Sequence, residues 1–190
     1  LPTAKFADYV VRYENVIVGV LEAKKDGEDP MTHLGQAQDY AKRLDVPFAY
    51  ISNGKTIILH DRRTMKTEQV SDYLSPEEMY QAYIEWKKLC GVKTDALTYP
   101  HYLGIRKPRA YQETAIKNVV ENIIAGKHAT LLTMATGTGK TTTAFQIIWK
   151  LVKSKQMHRV LFLTDRIILK DQAYGEFEAF GEARCKIEGG

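Results

Sequence analysis

Residues 129–141 read ATLLTMATGTGKT, an apolar run passing straight into a glycine-bracketed loop that ends in Gly139-Lys140-Thr141. A cradle for phosphates needs its parts in this order. Gly137 and Gly139 let backbone N–H groups point inward with no Cβ in the way, and Lys140 brings a point charge to the terminal phosphates. Thr141 offers a hydroxyl to Mg²⁺, while the amphipathic helix that follows turns the positive end of its dipole toward the anion. Met134 stands where the strict pattern has its first glycine, five residues before Gly139. Thr136 to Thr141 are therefore the expected nucleoside triphosphate contacts, with Mg²⁺ at Thr141.

Working outward, residues 160–164 form a second apolar run and a helix begins near 166. On the other side, Ile116, Val119, Val120, Ile123 and Ile124 line one face of a helix that stops at Gly126. Strands at 129–134 and 160–164 alternating with helices predict a parallel sheet with crossover helices. The first 60 residues read differently. FADYVVRY (6–13) and VIVGVLEA (16–23) flank Glu14-Asn15 as a hairpin, and Thr32 is placed to cap a helix with Leu34, Ala37, Ala41 and Leu44 on its apolar face. FAYIS and KTIILH then flank Asn53-Gly54 as a second hairpin, giving β-β-α-β-β. Ser75-Pro76-Glu77-Glu78 is a capping box for a helix with Met79, Ala82, Tyr83 and Trp86 on one side. The expected division is residues 1–74, a helix and linker at 75–105, and a second domain at 106–190.

Composition narrows the field. The 190 residues leave room for a sizeable core, and no window offers a membrane span or secretory leader. Net charge is +4, split as −2 over residues 1–104 and +6 over 105–190, so the second part is the better candidate for meeting a polyanion. Cys90 and Cys185 are isolated and read as reduced, structural thiols, and the five histidines are dispersed, so metal-thiolate chemistry is unsupported.

Glu22-Ala23-Lys24 presents a carboxylate and an ammonium on one face of a strand, because side chains two apart point the same way. Asp8 opens the preceding strand. A two-residue turn at 14–15 would pair Asp8 with Leu21 and send it to the wrong face. Pairing with Glu22 requires a three-residue loop or a bulge, and that irregularity is predicted, with Asn15 able to take a positive φ. Two acids holding Mg²⁺ beside a lysine suit attack on a phosphodiester: the metal acidifies water, and the lysine steadies the nucleophile and the developing charge.

Asp8-x13-Glu22-x-Lys24 resembles the PD-(D/E)xK nucleases, and a hairpin followed by a helix is their core. Gln36 and Tyr40, four apart on one helix and away from its apolar stripe, resemble the Gln-x-x-x-Tyr signature of the nuclease domain in the restriction subunit of type I restriction–modification enzymes. The resemblance implies that this pair supports the DNA backbone and the catalytic acids. Arg109-Ala110-Tyr111-Gln112 resembles the adenine-reading motif of superfamily 2 helicases, and ATGTGKT is their form of the phosphate loop. Asp165-Arg166-x-x-Leu169-x-x-Gln172 resembles their next motif, which implies a strand contact through Arg166.

The order nuclease, helical linker, motor is that of the type I restriction subunit. The implied fold is an α/β nuclease-like domain followed by the first part of a RecA-like parallel-sheet motor lobe. The resemblance also implies ATP-driven translocation on double-stranded DNA, Mg²⁺-dependent cleavage, modification (methyltransferase) and specificity subunits as partners, and a prokaryotic cytoplasm. Both ends look cut from something longer. The acidic Walker B segment and second motor lobe are expected beyond Gly190, so the chain is expected to bind nucleotide without turning it over. Type III enzymes place the nuclease after the motor, which argues against them. The alternative reading is a superfamily 2 DNA-remodelling ATPase whose N-terminal domain only docks.

Overall fold

The computed structural model describes residues 7–165 and 167–187. The chain divides into two units, Leu1–Thr94 and Asp95–Gly190.

The first unit is built on one five-stranded sheet, β1 (Tyr9–Tyr13), β2 (Val16–Ala23), β3 (Phe48–Ser52), β4 (Ile57–Asp61) and β5 (Lys66–Val70), in the spatial order of the sequence. β2 and β3 run parallel and are joined through helix α1 (Leu34–Leu44), whereas every other pair is antiparallel. β3 is buried throughout and β4 at Ile58, Leu59 and His60, and Ala49, Ile51 and Ile58 close over Ala37, Tyr40 and Ala41 of α1. Helix α2 (Pro76–Trp86) packs against β1 and β2, where Gly19 leaves room for the Met79 sulfur. The capping box at its start is formed as expected: the Ser75 hydroxyl accepts from Glu78 N–H, and the Glu78 carboxylate accepts from Ser75 N–H.

The hairpin irregularity is present, but not in the loop. Tyr13 pairs with Val16 across a tight Glu14-Asn15 turn, and Glu14 rather than Asn15 takes the positive φ, +47°. The extra residue sits within β2, where Val11 pairs with Gly19 but Arg12 with Ile17, leaving Val18 as a bulge. Its effect on parity is direct. Ile17 lies before the bulge and Val20 after it, yet both pack into the α1 cluster, so the bulge returns the even-numbered residues beyond it to the α1 face. Glu22 is thereby turned toward α1.

Three local expectations are corrected. Asp29, not Thr32, caps the helical entry: its carboxylate accepts from Met31 N–H at a 3₁₀ turn, Pro30–His33, that leads into α1. Asn53-Gly54 belongs to a four-residue connection, since Ser52 pairs with Ile57, and the Asn53 side chain closes it by accepting from Lys55 and Thr56 N–H. β5 (KTEQV) is a further strand, polar because it is an edge.

The second unit contains α3 (Asp95–Thr98), α4 (Ala110–Ile124), α5 (Lys140–Lys153) and α6 (Ile167–Glu176), followed by a 3₁₀ segment, Phe177–Ala183. Helices α4, α5 and α6 fall where the sequence put them, whereas the short α3 lies within the stretch expected to be linker. The two expected strands do not form: residues 129–134 and 160–164 carry no ladder among the described residues, and Leu131 and Leu163 are 90% and 80% exposed. Both runs have the composition of buried strands. A strand, however, exists only through a neighbour's N–H and C=O groups, and no pairing joins these two runs.

Candidate functional sites

At the C-terminal end of β2, Glu22 is 2% exposed. Burying a carboxylate is costly unless donors or a cation meet it. One oxygen, Oε1, is met twice, by Lys24 Nζ at 3.2 Å and by Gln36 Nε2 at 2.5 Å. The other, Oε2, is buried with no hydrogen-bond partner in the protein. Lys24 reaches the carboxylate because i and i+2 share a strand face; Gln36 reaches it because the bulge turns Glu22 toward α1. Gln36 Nε2 also lies 3.4 Å from the Tyr40 hydroxyl. Tyr40 differs from expectation: its ring is buried within the α1 core cluster, and only the hydroxyl reaches the polar side.

Tyr9 pairs with Leu21, and continuing that register sets Asp8 across from Glu22. The Asp8 Oδ2 accepts from Ala23 N–H at 3.0 Å, which fixes the exposed carboxylate against the end of β2. The structure thus brings together Asp8, Glu22, Lys24, Gln36 and Tyr40. Among the described residues, no group of three or more His, Cys, Asp or Glu side chains is placed to hold a metal ion, and the acids at this strand end are Asp8 and Glu22, which the register sets across from one another. Such a pair fits a hard divalent ion, which takes few protein carboxylates and keeps several waters. The partnerless Glu22 Oε2 is the observation that makes the fit specific.

The second site surrounds the phosphate loop. Gly137 and Gly139 have φ of +77° and +82°, a region glycine enters without strain. α5 begins at Lys140 with Gly139 as its N-cap and no side-chain cap, so the helix presents bare N–H groups at the loop. Lys140 Nζ donates to Ala135 O at 3.0 Å, folding the ammonium back over the loop. Gln112, near the start of α4, ties two parts together: its Oε1 accepts from Arg109 N–H at 2.8 Å, and its Nε2 donates to Thr138 O at 2.9 Å. The Tyr111 hydroxyl donates to the same carbonyl at 3.1 Å.

A cavity of about 270 Å³ opens here, lined by Arg109, Gln112, Gly137, Thr138 and Gly139, all expected from the sequence. Arg106, Lys107, Tyr111 and Thr142 also line it. Tyr111 belongs to the quoted motif, whereas Arg106, Lys107 and Thr142 lie outside the expected set, although the Arg106-Lys107-Pro108-Arg109 run carries a signal: three cations in four residues immediately before the helix. Thr136, Lys140 and Thr141 do not line the cavity. Arg166 lies outside the described residues.

Comparison with known proteins follows the same division. The family model described as "Type III restriction enzyme, res subunit" matches residues 105–189, within the second unit. The endonuclease subunit of the type I restriction enzyme EcoAI from Escherichia coli is 39% identical over 98% of this chain and 24% of its own length. The EcoKI endonuclease subunit from Escherichia coli (strain K12) is 29% identical over 91% of the chain and 19% of its own length. UvrABC system protein B from Streptococcus pyogenes is 42% identical, but over only 39% of the chain. A solved fragment assigned to an HsdR subunit of a type I restriction enzyme from Vibrio vulnificus YJ016 superposes with a TM-score of 0.81 at 36% identity, covering 96% of this chain and 35% of that one. The chain spans about a fifth to a quarter of the length of these two type I relatives. Among the described residues, no helix is long and apolar enough to cross a membrane.

Proposed function

The chain is HsdR-like, matching the endonuclease subunits of type I restriction enzymes along nearly its whole length, and from that premise we propose that it joins a DNA-cutting unit to part of an ATP-driven motor. The buried, partnerless Oε2 of Glu22 carries the cleavage half of this reading. Asp8 and Glu22 would hold Mg²⁺, which when bound supplies Lewis acidity and an acidified water. Gln36 and Lys24 both engage Oε1, which leaves Oε2 as the oxygen available to an ion. Lys24 keeps a cation beside the carboxylate, suited to a scissile phosphate and the charge that develops on it. Tyr40 anchors this arrangement by locking its ring in the α1 core while its hydroxyl accepts from Gln36.

In the second unit, Gly137, Thr138 and Gly139 would cradle ATP phosphates and Lys140 would leave Ala135 O for the terminal phosphate, with Thr141 on the Mg²⁺. Arg109 and Gln112 flank the end of the cavity where the base would lie. Double-stranded DNA is the proposed substrate, and the modification and specificity subunits of the same restriction system are the proposed partners. Both inferences rest on the type I relatives. That the type III family model matches only the second unit is consistent with a motor shared between the two classes; the EcoAI and EcoKI subunits, which match over the first unit as well, are of type I.

The test is a double dissociation in the full-length subunit. Mg²⁺-dependent nicking should vanish with Glu22→Ala and Lys24→Ala and persist in Lys140→Ala under conditions that need no ATP, while nucleotide binding responds to Lys140→Ala alone. Translocation without nicking under any divalent metal would reject the nuclease and leave a remodelling ATPase with a docking domain.

A further inference from the structure

Two buried polar side chains of α5 are used by neither site. Gln146 is fully buried and Lys150 is 3% exposed, and they stand one turn apart on the helix that starts at the phosphate loop. Burying an amide and an ammonium is unfavourable unless each donor and acceptor is met. Both are met by main chain of one segment, residues 97–102. Gln146 spans a single residue: its Nε2 donates to Tyr102 O and its Oε1 accepts from Tyr102 N–H, each at 2.9 Å. This is the pairing that a neighbouring strand would give. Lys150 Nζ donates to Leu97 O at 3.0 Å and to Tyr99 O. The Tyr102 ring packs on Phe145 and Trp149, with centroids 5.5 and 4.7 Å apart, so the segment is held by polar and aromatic contacts to the same helix.

Four residues beyond Tyr102 the chain reaches Arg106, Lys107 and then Arg109, which line the cavity together with Gly137, Thr138 and Gly139. One wall of the cavity is thus continuous with the start of α5, and the other is the continuation of the segment that α5 clamps. Tyr102 is tied to α5 through Gln146, and Gln112 is tied to the loop through Thr138 O.

We propose that Gln146 is a positioning residue for nucleotide selectivity: by pinning Tyr102 to the phosphate-loop helix it fixes the Arg106–Arg109 wall, and hence the space left for the base and ribose of a nucleoside triphosphate. Lys150 is the second anchor of the same clamp. The inference rests on the nucleotide reading of the cavity given above. It separates two parts of the affinity. Phosphates meet the loop and the α5 N-terminus, which do not depend on the clamp, whereas the nucleoside meets the clamped wall.

Calorimetric titration of the chain with MgATP and with magnesium tripolyphosphate tests it, alongside hydrogen exchange at Tyr102. For Gln146→Leu, the affinity for MgATP should fall about tenfold, the size expected if loss of the two bonds leaves the wall in place about a tenth of the time. Tripolyphosphate affinity should stay within about twofold, and the Tyr102 amide should exchange about tenfold faster or more. Gln146→Glu keeps an acceptor for Tyr102 N–H but sets a carboxylate oxygen against Tyr102 O, so it should shift the two ligands in the same unequal way should the leucine variant fail to fold. Equal weakening of both ligands, or no change in their ratio, overturns the role assigned to Gln146. Binding of neither ligand by the unsubstituted chain overturns the nucleotide reading itself, and the inference with it.

Discussion

The two units hold their chemistry in opposite ways. In the first, every strand is laddered, the core is closed by α1, and one acid is buried with an oxygen left over. In the second, the starts of α4 and α5 flank a glycine loop, while among the described residues the apolar runs at 129–134 and 160–164 lie unladdered and largely exposed. The contrast follows from sheet type. An antiparallel meander with one parallel crossover finds its partners within some 60 residues of chain, whereas parallel strands need crossover neighbours on both sides before their apolar faces are covered. The Asp8–Glu22 site is therefore held by a laddered sheet, and the site at the phosphate loop by helix termini and side-chain hydrogen bonds.

If that division is right, damage should stay where it is made. Glu22→Ala should lower Mg²⁺-dependent nicking by the full-length subunit on the order of a thousandfold, since losing an outer-shell partner alone typically costs ten- to a hundredfold. Its MgATP affinity should be unchanged. Lys140→Ala should show the converse. A Glu22→Ala protein that cuts DNA normally would remove the first unit's assigned chemistry and with it the comparison.

Next in size is a pH effect confined to the second unit. Burial among α3 and α5 pushes the Lys150 ammonium down from 10.5 to about 8, with Glu113 partly opposing the shift. Below pH 8 the lysine is charged in both folded and unfolded chains, and the folded state bears the whole desolvation cost. Between about 8 and 10.5 the folded state has released its proton and the unfolded chain has not, so stability rises with pH, by at most about 1.4 kcal/mol per unit and on the order of 3 kcal/mol in all. Denaturant titrations of the chain across this range should show the rise, and Lys150→Met should flatten it. A wild-type curve parallel to the variant's would mean that Lys150 is not the titrating group.

How much of this was legible in the residues divides along the same line. Glu22 and Lys24 were readable because strand geometry puts i and i+2 on one face, and Gln36 because a helix face can be counted. That Asp8 needed an irregularity to meet Glu22 followed from parity, and the cue to its place within β2 was Gly19, since an isolated glycine in a strand pattern marks a bulge or a close backbone approach. Tyr40 was misplaced on the helix because an aromatic ring can serve the core while its hydroxyl serves the site. Asp29 and Thr32 are both good caps, and Pro30, at home in the first turn of a helix, was the cue favouring Asp29. β5 escaped because KTEQV has no face to bury. Conversely, TLLTM and VLFLT have the composition of buried strands, but pairing is non-local and cannot be read from the run itself.

The phosphate loop gives a smaller and sharper test. Gly139 sits at φ +82°, and a Cβ there would lie 2.5 Å from the Gln112 Nε2 that bonds to Thr138 O. Gly139→Ala therefore meets left-handed backbone strain of roughly 1–2 kcal/mol and must also displace Gln112. MgATP affinity should fall about tenfold or more by calorimetry, and hydrogen exchange in β2 to β4 of the first unit should not change. Accelerated exchange in those strands would show that the units are not independent.

The smallest effect compares two helix starts. α2 begins with a side-chain cap, Ser75, which satisfies Glu78 N–H, and α5 begins with Gly139, which has no side chain to offer. A helix whose first N–H groups are already met has no use for an anion, whereas one whose N–H groups are bare gains from one. Ser75→Ala should accordingly destabilise the first unit by about 1 kcal/mol, read from faster exchange of the amides in the first turn of α2. Tripolyphosphate should protect the first turn of α5 and leave α2 untouched in both proteins. If the anion instead restored protection to α2 in Ser75→Ala, any uncapped helix start in this chain would serve as a phosphate site, and the glycine loop would lose its claim to a special role.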